Sequence, residues 1–137
     1  MKKIMYSFVA VCLCFVILGG AISSAAESSV SPRLTDLMQA TSTFEINSDG
    51  QAYIFASYNA YEDVVSYVDI NITLEKKFLL LFWKDVDSWS FQSSSMNYAT
   101  DMIIDVGSGT HKATFEFVVH HLDGTSNTYT EEITDSK

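Results

Sequence analysis

Three histidines are the residues of this chain whose type and spacing first suggest metal binding or acid–base chemistry. His111, His120 and His121 fall in one predicted strand, residues 110–122, in which adjacent side chains point to opposite faces. On a shared face, His111 and His121 would lie roughly 33 Å apart at about 3.3 Å per residue. A structural zinc site needs four Cys or His ligands close together, and no cysteine follows Cys14. We therefore predict surface histidines, no metal site and no cofactor.

A serine between two glycines and two groups of acidic residues are the other candidates for catalysis. Ser108 stands in Gly-Ser-Gly, whereas the nucleophile elbow is Gly-x-Ser-x-Gly and leads into a helix rather than a strand. Glu62 with Asp63, or Asp85 with Asp87, could work as the paired carboxylates of a glycosidase. That reaction requires a cleft that raises the pKa of one carboxyl group, and a domain of this size rarely forms one. We interpret these residues as a turn and as solvated acids, and predict that the protein is not an enzyme.

Tyrosines give the strongest indication of a binding site. Seven are present, and four of them surround one predicted loop: Tyr53, Tyr58, Tyr61 and Tyr67. Exposed aromatic rings can stack on sugars or anchor a protein partner, so we predict a ligand-binding site at Tyr58, Tyr61 and Tyr67. The alternative is that these rings pack inside the protein. Four other aromatic residues are predicted to lie in the core: Trp83, Trp89, Phe115 and Phe117.

Alternating hydropathy predicts the strands that would position these residues. In residues 66–76 the even positions from 68 to 74 are Val, Ile, Ile and Leu, and the odd positions are mostly polar. One apolar and one polar face are typical of an antiparallel sheet packed on one side. Turn residues stand at 47–50 and at Asp123-Gly124. The pattern predicts an all-β fold, an antiparallel two-sheet sandwich of about seven strands: residues 41–46, 51–59, 66–76, 86–92, 99–106, 110–122 and 127–133.

One apolar run interrupts this pattern. Residues 78–83 read Phe-Leu-Leu-Leu-Phe-Trp, apolar on both sides of a strand. We predict either a strand covered on both faces or a hairpin arm with one face left for a partner. The run is also the strongest aggregation hazard of the chain, and charged residues flank it as gatekeepers: Lys76, Lys77, Lys84 and Asp85.

The first 26 residues have the pattern of a secretory signal peptide. Lys2 and Lys3 precede an apolar stretch, and residues 24–26 (Ser-Ala-Ala) place small side chains at a cleavage site. An uncleaved membrane anchor is the alternative, since residues 4–22 approach the roughly 20 that span a bilayer. We predict a secreted, extracellular protein with these segments: a signal peptide at 1–26, a flexible lead-in at 27–39 with a helical turn at 36–39, and a β-sandwich domain at 40–137.

Residues 27–137 are strongly acidic. Two of the eight basic residues leave with the signal peptide while all 17 acidic residues remain, which gives a net charge of −11. Such a surface disfavours nucleic acids and anionic membranes. We therefore predict no nucleic-acid partner, and membrane contact only through the signal peptide before cleavage. Both cysteines, Cys12 and Cys14, lie in the signal peptide, so the domain must fold without a disulfide.

Five short motifs form a pattern across much of the exported chain: Leu74-Glu75-Lys76-Lys77, Trp83, Val86-Asp87-Ser88-Trp89, Val106-Gly107-Ser108-Gly109-Thr110 and Asp123-Gly124. This pattern resembles a group of small exported proteins of Gram-positive gut-type bacteria, which are uncharacterised. The chain differs from the group at His111, where Tyr is more usual, and in its more apolar residues 78–82. The resemblance implies an immunoglobulin-like or fibronectin-like sandwich, and it implies no particular function.

Together these observations predict a secreted, non-enzymatic recognition or structural module that acts outside the cell on an unknown protein or glycan partner. One alternative is a carbohydrate-binding module that uses Tyr58, Tyr61 and Tyr67. A small exported hydrolase is a further alternative. A self-associating structural protein is the last, and it would expose residues 78–83 as an edge strand.

Overall fold

The computed structural model describes residues 36–137, which form seven β-strands and no helix. In chain order they are β1 (Leu37–Ile46), β2 (Gln51–Ala60), β3 (Val65–Phe78), β4 (Phe82–Ser93), β5 (Asn97–Asp105), β6 (Thr110–His121) and β7 (Ser126–Ser136). Within this range no helix is long and apolar enough to cross a membrane. The predicted signal peptide, and the lead-in as far as residue 35, lie outside the described residues.

The strands form two antiparallel sheets. One has the order β1-β2-β5 and the other β4-β3-β6-β7, so the prediction of an all-β, two-sheet fold is confirmed. Two hairpins turn where the sequence predicts turns, because Gly50 and Gly124 have φ of 82° and 86°. Glycine adopts this left-handed conformation without a steric penalty, and each of the two completes a short loop between paired strands.

Alternate side chains of the central strands fill the space between the sheets. The inward residues of β3, from Val68 to Leu74, are at most 1% exposed, and Ile54 and Phe115 are fully buried. The apolar face predicted for residues 66–76 is thereby confirmed as the inward face of β3, and the predicted core positions of Phe115 and Phe117 are confirmed as well. The complete buried apolar set is Leu37, Ala40, Phe44, Ala52, Ile54, Ala56, Tyr58, Ala60, Val65, Val68, Ile70, Ile72, Leu74, Ala113, Phe115, Phe117 and Val119.

Two aspartates tie β1 to β7 across the gap between the sheets. The buried Asp36 carboxylate accepts hydrogen bonds from Asn127 and from the Tyr129 hydroxyl, the latter at 2.7 Å. At the other end of β1, the Ile46 amide donates to Asp135 Oδ2 at 2.7 Å. These contacts hold β1 extended from Leu37 onwards. The prediction of a helical turn at residues 36–39 is therefore wrong, since strand pairing and long-range hydrogen bonds override the local preference.

Asp36→Asn tests this attachment of β1. Burial raises the pKa of Asp36, but hydrogen bonds from Asn127 and Tyr129, together with the charge of His121, outweigh burial and leave the pKa below 3.8. The charged form is therefore favoured by folding, and its contribution is present above pH 3.8 and lost as the pH falls below it. We expect Asp36→Asn to lower the free energy of unfolding by about 1 kcal/mol at pH 7. Urea unfolding measures this change.

The variant should also lose less stability than wild type between pH 5 and pH 3. Asp101→Asn is the matched control, because Asp101 is exposed on β5 and we expect a change within about 0.5 kcal/mol. Equal stability losses in the two variants at pH 7 would contradict the role assigned to Asp36.

Candidate functional site: the tip of the β3–β4 hairpin

The β3–β4 hairpin reverses direction at residues 79–81, in the middle of the apolar run. Phe78 pairs with Phe82 across the turn, and the Leu81 amide donates to the Phe78 carbonyl at 3.3 Å. Leu79 and Leu80 have φ of 49° and 63°, the signs of a type I′ turn, which is usually built from Asn-Gly. Of the two alternatives predicted for this run, a strand covered on both faces is therefore wrong, because the chain reverses at residues 79–81; the run forms a hairpin end instead.

The end of this hairpin extends past the rest of its sheet. β3 pairs with β6 only as far as Lys76, which lies opposite His111. Beyond that pair, the described residues of the hairpin pair only with each other. Five consecutive apolar side chains at this end are exposed, from 58% for Phe78 to 84% for Leu80. We call residues 78–82 the apolar tip.

Exposure of the apolar tip is energetically costly. Burying one large apolar side chain is worth about 1.5–3 kcal/mol relative to leaving it in water. Contiguous apolar surface on a soluble domain marks sites that contact another molecule. Strained backbone conformations such as those of Leu79 and Leu80 also concentrate at functional sites. The apolar tip combines both features within five residues.

Lysines surround the base of the apolar tip. Lys76 pairs with Lys84 across the hairpin, and Lys77 pairs with Trp83. We call these three lysines the lysine collar; residues 76–84 contain no acidic residue. The Lys77 and Lys112 ammonium groups lie 5.7 and 5.1 Å from the centroid of the Trp83 ring, within the range of cation–π attraction.

The two tryptophans predicted to lie in the core are both partly exposed. Trp83 is partly exposed at the base of the tip, so its prediction as a core residue is wrong. Trp89 packs against the edge of the core and keeps some exposure, whereas Phe115 and Phe117 are buried as predicted. Trp83 departs from the prediction because its ring lies against the ammonium groups of Lys77 and Lys112 rather than among the core side chains.

His111 lies inside the sandwich beside the base of the hairpin. It is fully buried, which corrects its prediction as a surface histidine, and its Nδ1 lies 3.2 Å from the Gly109 carbonyl oxygen. Burial lowers the pKa of His111, and the positive charge of Lys76 lowers it further; carbonyl groups of Gly109 and Val106 offset part of the effect. Folding therefore favours the neutral imidazole.

The lowered pKa of His111 predicts a pH dependence. Below the ordinary value of 6.5, the unfolded chain binds a proton that the folded protein does not, so stability falls as the pH falls. We expect urea unfolding to give a lower free energy at pH 5.5 than at pH 7.5, with a smaller difference for His111→Gln. His120→Gln is the control, because His120 is partly exposed on the outer face. An identical pH dependence in wild type and His111→Gln would exclude this assignment.

The three tyrosines predicted as a ligand site occupy different environments. Tyr58 is 2% exposed, and its hydroxyl donates to the backbone carbonyls of Ser93 and Ser95 at 3.1 and 2.8 Å. Burial raises the pKa of this hydroxyl. Tyr58 therefore connects the core to the β4–β5 loop, while Tyr61 and Tyr67 keep exposed ring surface. A tyrosine platform remains a prediction for those two residues.

Tyr67 belongs to a polar group on the outer face of the four-stranded sheet. Its ring stacks on the His120 ring with centroids 4.1 Å apart. His120 Nε2 lies 3.0 Å from Asp69 Oδ2, and the Gln92 amide donates to Asp69 Oδ1 at 2.8 Å. Strand pairing creates this group, because Tyr67 lies opposite His120, and Asp69 opposite Gln92.

The other residues proposed for catalysis lie at three separate places in the fold. Glu62 and Asp63 are exposed in the β2–β3 turn, whereas Asp85 lies near the opposite end of the sheet, beside Glu75. Ser108 is exposed in the β5–β6 loop. Residues 36–137 hold no group of three or more His, Cys, Asp or Glu side chains arranged for a metal ion. A shallow depression of about 160 Å³ is lined by Glu45, Ile46, Asn47, Gln51, Tyr53 and Ile103.

The apolar tip is the feature that sequence reasoning located only in part. The sequence identified residues 78–83 as exceptional and named an arm left for a partner as one alternative. It did not place a turn at Leu79 and Leu80, since leucine is rare at positive φ. The available signal was the symmetry of the segment, in which two phenylalanines flank three leucines and lysines stand outside both.

Comparison with models of known protein families finds no match to this chain, and comparison with curated proteins finds no similar sequence.

Proposed function

We propose that this protein is a secreted, non-enzymatic recognition module that binds its target through the apolar tip. The observation that carries the proposal is the exposure of five consecutive large apolar residues at the end of a hairpin. A folded domain that leaves Leu79 and Leu80 both exposed and strained gains nothing in stability from them. Binding is the function that such a tip supports best.

We further propose that the domain is a fibronectin-like variant of the immunoglobulin-type sandwich. In the constant-type immunoglobulin domain, the fourth strand lies in the same sheet as the first, second and fifth. In this chain β4 joins β3 instead, which leaves sheets of three and four strands. Because β4 pairs with β3, the two strands form the hairpin that carries the apolar tip.

Binding to intact cells tests the proposed function. The protein would be recovered from the culture medium of an expressing bacterium, which also tests secretion, and mixed with Gram-positive cells and with their isolated envelopes. We expect Leu79→Asn/Leu80→Gly to reduce retention at least about tenfold, given the apolar area removed. Leu122→Asn is the matched control, because Leu122 is equally apolar and 64% exposed in the hairpin at the other end of the sandwich. Equal retention of wild type and tip variant, or turnover of a peptide or polysaccharide substrate, would refute the proposal.

A carbohydrate-binding module is the second candidate. It is favoured by the partly exposed Tyr67, whose ring stacks on His120 beside the hydrogen-bonding groups of Asp69 and Gln92. Aromatic rings next to such groups are suited to stacking on sugars. We expect Tyr67→Ala and Tyr61→Ala to weaken any saturable glycan affinity, whereas the tip variant would leave it unchanged. Glycan retention that survives both tyrosine substitutions would exclude this site.

A further inference from the structure

We propose that the target of the apolar tip is the surface of a lipid bilayer that contains anionic lipids, into which residues 78–82 insert to the depth of the headgroup boundary. This inference rests on the proposed function, since it names what the tip binds. It differs from the expectation based on net charge, which disfavoured anionic membranes for the exported chain.

The order of residues along the hairpin matches the layers of a bilayer surface. Three leucines form the extreme end, and Phe78 and Phe82 come next. Trp83 and Lys77 follow as one pair, and Lys76 and Lys84 as the pair behind it. Aromatic rings such as Trp favour the interface, and lysines extend their ammonium groups to the headgroups. Apolar, aromatic and cationic side chains therefore succeed one another from the tip inwards.

The dimensions of the tip suit shallow insertion. The hairpin continues for two residue pairs and a three-residue turn beyond Lys76, about 10 Å at the rise of a strand. Interfacial segments insert about 5–10 Å into the boundary of headgroups and acyl chains. The turn leaves amide groups that need water or headgroup oxygens as partners, which excludes deeper insertion. The length of the hairpin and the unpaired amide groups of its turn thus both indicate insertion no deeper than the boundary of headgroups and acyl chains.

Positive charge in the described residues is concentrated at the end that carries the tip. All five lysines of residues 36–137 lie there: Lys76, Lys77 and Lys84 in the hairpin, Lys112 near the start of β6 and Lys137 after β7. The Lys137 and Gly109 backbones are hydrogen-bonded at 3.3 Å, which holds the end of the chain beside the start of β6. The lysine collar therefore stands behind the apolar tip at the one end of residues 36–137 that carries lysines.

Acidic residues occur at the same end but outside the tip. Glu75 lies 2.7 Å from Lys112 Nζ and is paired with it. Glu132 also lies 3.3 Å from Lys112 Nζ, and Asp135 lies opposite His111. Asp85 and Asp87 follow the collar on β4, whereas Glu45, Asp49 and Asp105 belong to the other sheet or to its β1–β2 turn. Screening limits their repulsion to about 8 Å at physiological ionic strength, a distance comparable to the length of the tip. For an anionic surface in contact with the tip, the lysines of the collar are therefore nearer than these acidic residues.

A second copy of the chain is a less favourable binding partner for the apolar tip than an anionic lipid surface. Two tips in contact would bring two lysine collars together, and like charges at short range repel. The same charges attract lipid phosphates. The collar therefore favours an anionic lipid surface over self-association.

Vesicle binding by the secreted protein tests the inference. Co-sedimentation is measured with vesicles of phosphatidylcholine alone and of phosphatidylcholine mixed with phosphatidylglycerol, with Trp emission as a second readout. We expect binding to the anionic vesicles that weakens as salt is raised, and a blue shift from Trp83. Leu79→Asn/Leu80→Gly should lose at least about tenfold in partitioning, as should Leu79→Ala/Leu80→Ala, whereas Leu122→Asn should bind as wild type does.

The collar is tested separately with Lys77→Gln/Lys84→Gln. We expect about fivefold weaker binding to anionic vesicles for each lysine removed, and no change on neutral vesicles. No binding to either kind of vesicle, or vesicle binding that the tip variants leave intact, would refute the lipid target. Tip-dependent retention on cells that disappears after surface proteolysis would also refute it in favour of a protein partner, while leaving the proposed function in place. Tip-dependent dimers without vesicle binding would identify a second copy as the occupant.

Discussion

Phe115→Ala should lower the free energy of unfolding by about 3–5 kcal/mol, the range measured when a buried phenylalanine is truncated to alanine. Phe115 is fully buried and lies in β6, where strands pair on both sides: it faces Ile72 of β3 and Glu131 of β7. Small domains are stable by only about 5–15 kcal/mol. Both cysteines lie at positions 12 and 14, so no disulfide can compensate within residues 36–137. We expect urea unfolding to show the variant partly unfolded in native buffer or at a much lower midpoint.

Val118→Ala is the matched control for this substitution. Val118 lies on the same strand with its side chain on the outer, partly exposed face, so its truncation should cost less than about 1 kcal/mol. If the two variants lost equal stability, the assignment of inner and outer faces on β6 would be incorrect. The comparison therefore tests the sandwich packing as well as one residue.

Leu79→Asn/Leu80→Gly should raise the free energy of unfolding by about 2 kcal/mol. A residue other than glycine in the left-handed region costs roughly 1–2 kcal/mol, and both leucines occupy it. Asn-Gly is the pair that most favours a type I′ turn. The substituted side chains are 70% and 84% exposed, so their removal costs little packing. We expect the melting temperature to rise by about 10 °C, given about 4–8 °C per kcal/mol for a domain of this size.

Leu79→Ala/Leu80→Ala separates backbone strain from loss of the leucine side chains. Alanine suffers the same steric conflict at positive φ, so this variant should gain little stability although it removes most of the same apolar surface. Equal stabilisation by the two variants would show that exposure of the leucines, rather than their backbone conformation, is unfavourable. A gain for Asn-Gly with loss of binding would mean that the native tip sacrifices stability for recognition, a common trade-off at functional sites.

Most of the fold could be predicted from the sequence because its signals are local. The period of two in β3 assigns its inward residues, since successive side chains in a strand point to opposite faces. Gly50 and Gly124 mark two hairpins, because their positive φ suits glycine. Leu79 and Leu80 gave no such signal, and the turn they form arises from the pairing of the flanking strands.

The candidate site could be predicted only as an unusual segment. Residues 78–83 were identified by composition, but their exposure depends on β3 running past the last residue that pairs with β6. In the sequence, Tyr58 is as good a candidate for an exposed, ligand-binding ring as Tyr61 and Tyr67. Only the packing of β2 against the opposite sheet shows that Tyr58 is internal.

The sequence by itself determined the all-β class, the inward face of β3 and the overall acidity, because each depends on residue type and on spacing along the chain. The tertiary structure decided which strands share a sheet, where the apolar run turns and which residues meet across the gap between sheets. It also brought together lysines that are up to 61 positions apart in the sequence, Lys76 and Lys137. Net charge is a sum over the chain, whereas the charge near one surface depends on strand pairing. For that reason an acidic sequence can present an apolar tip with a lysine collar behind it.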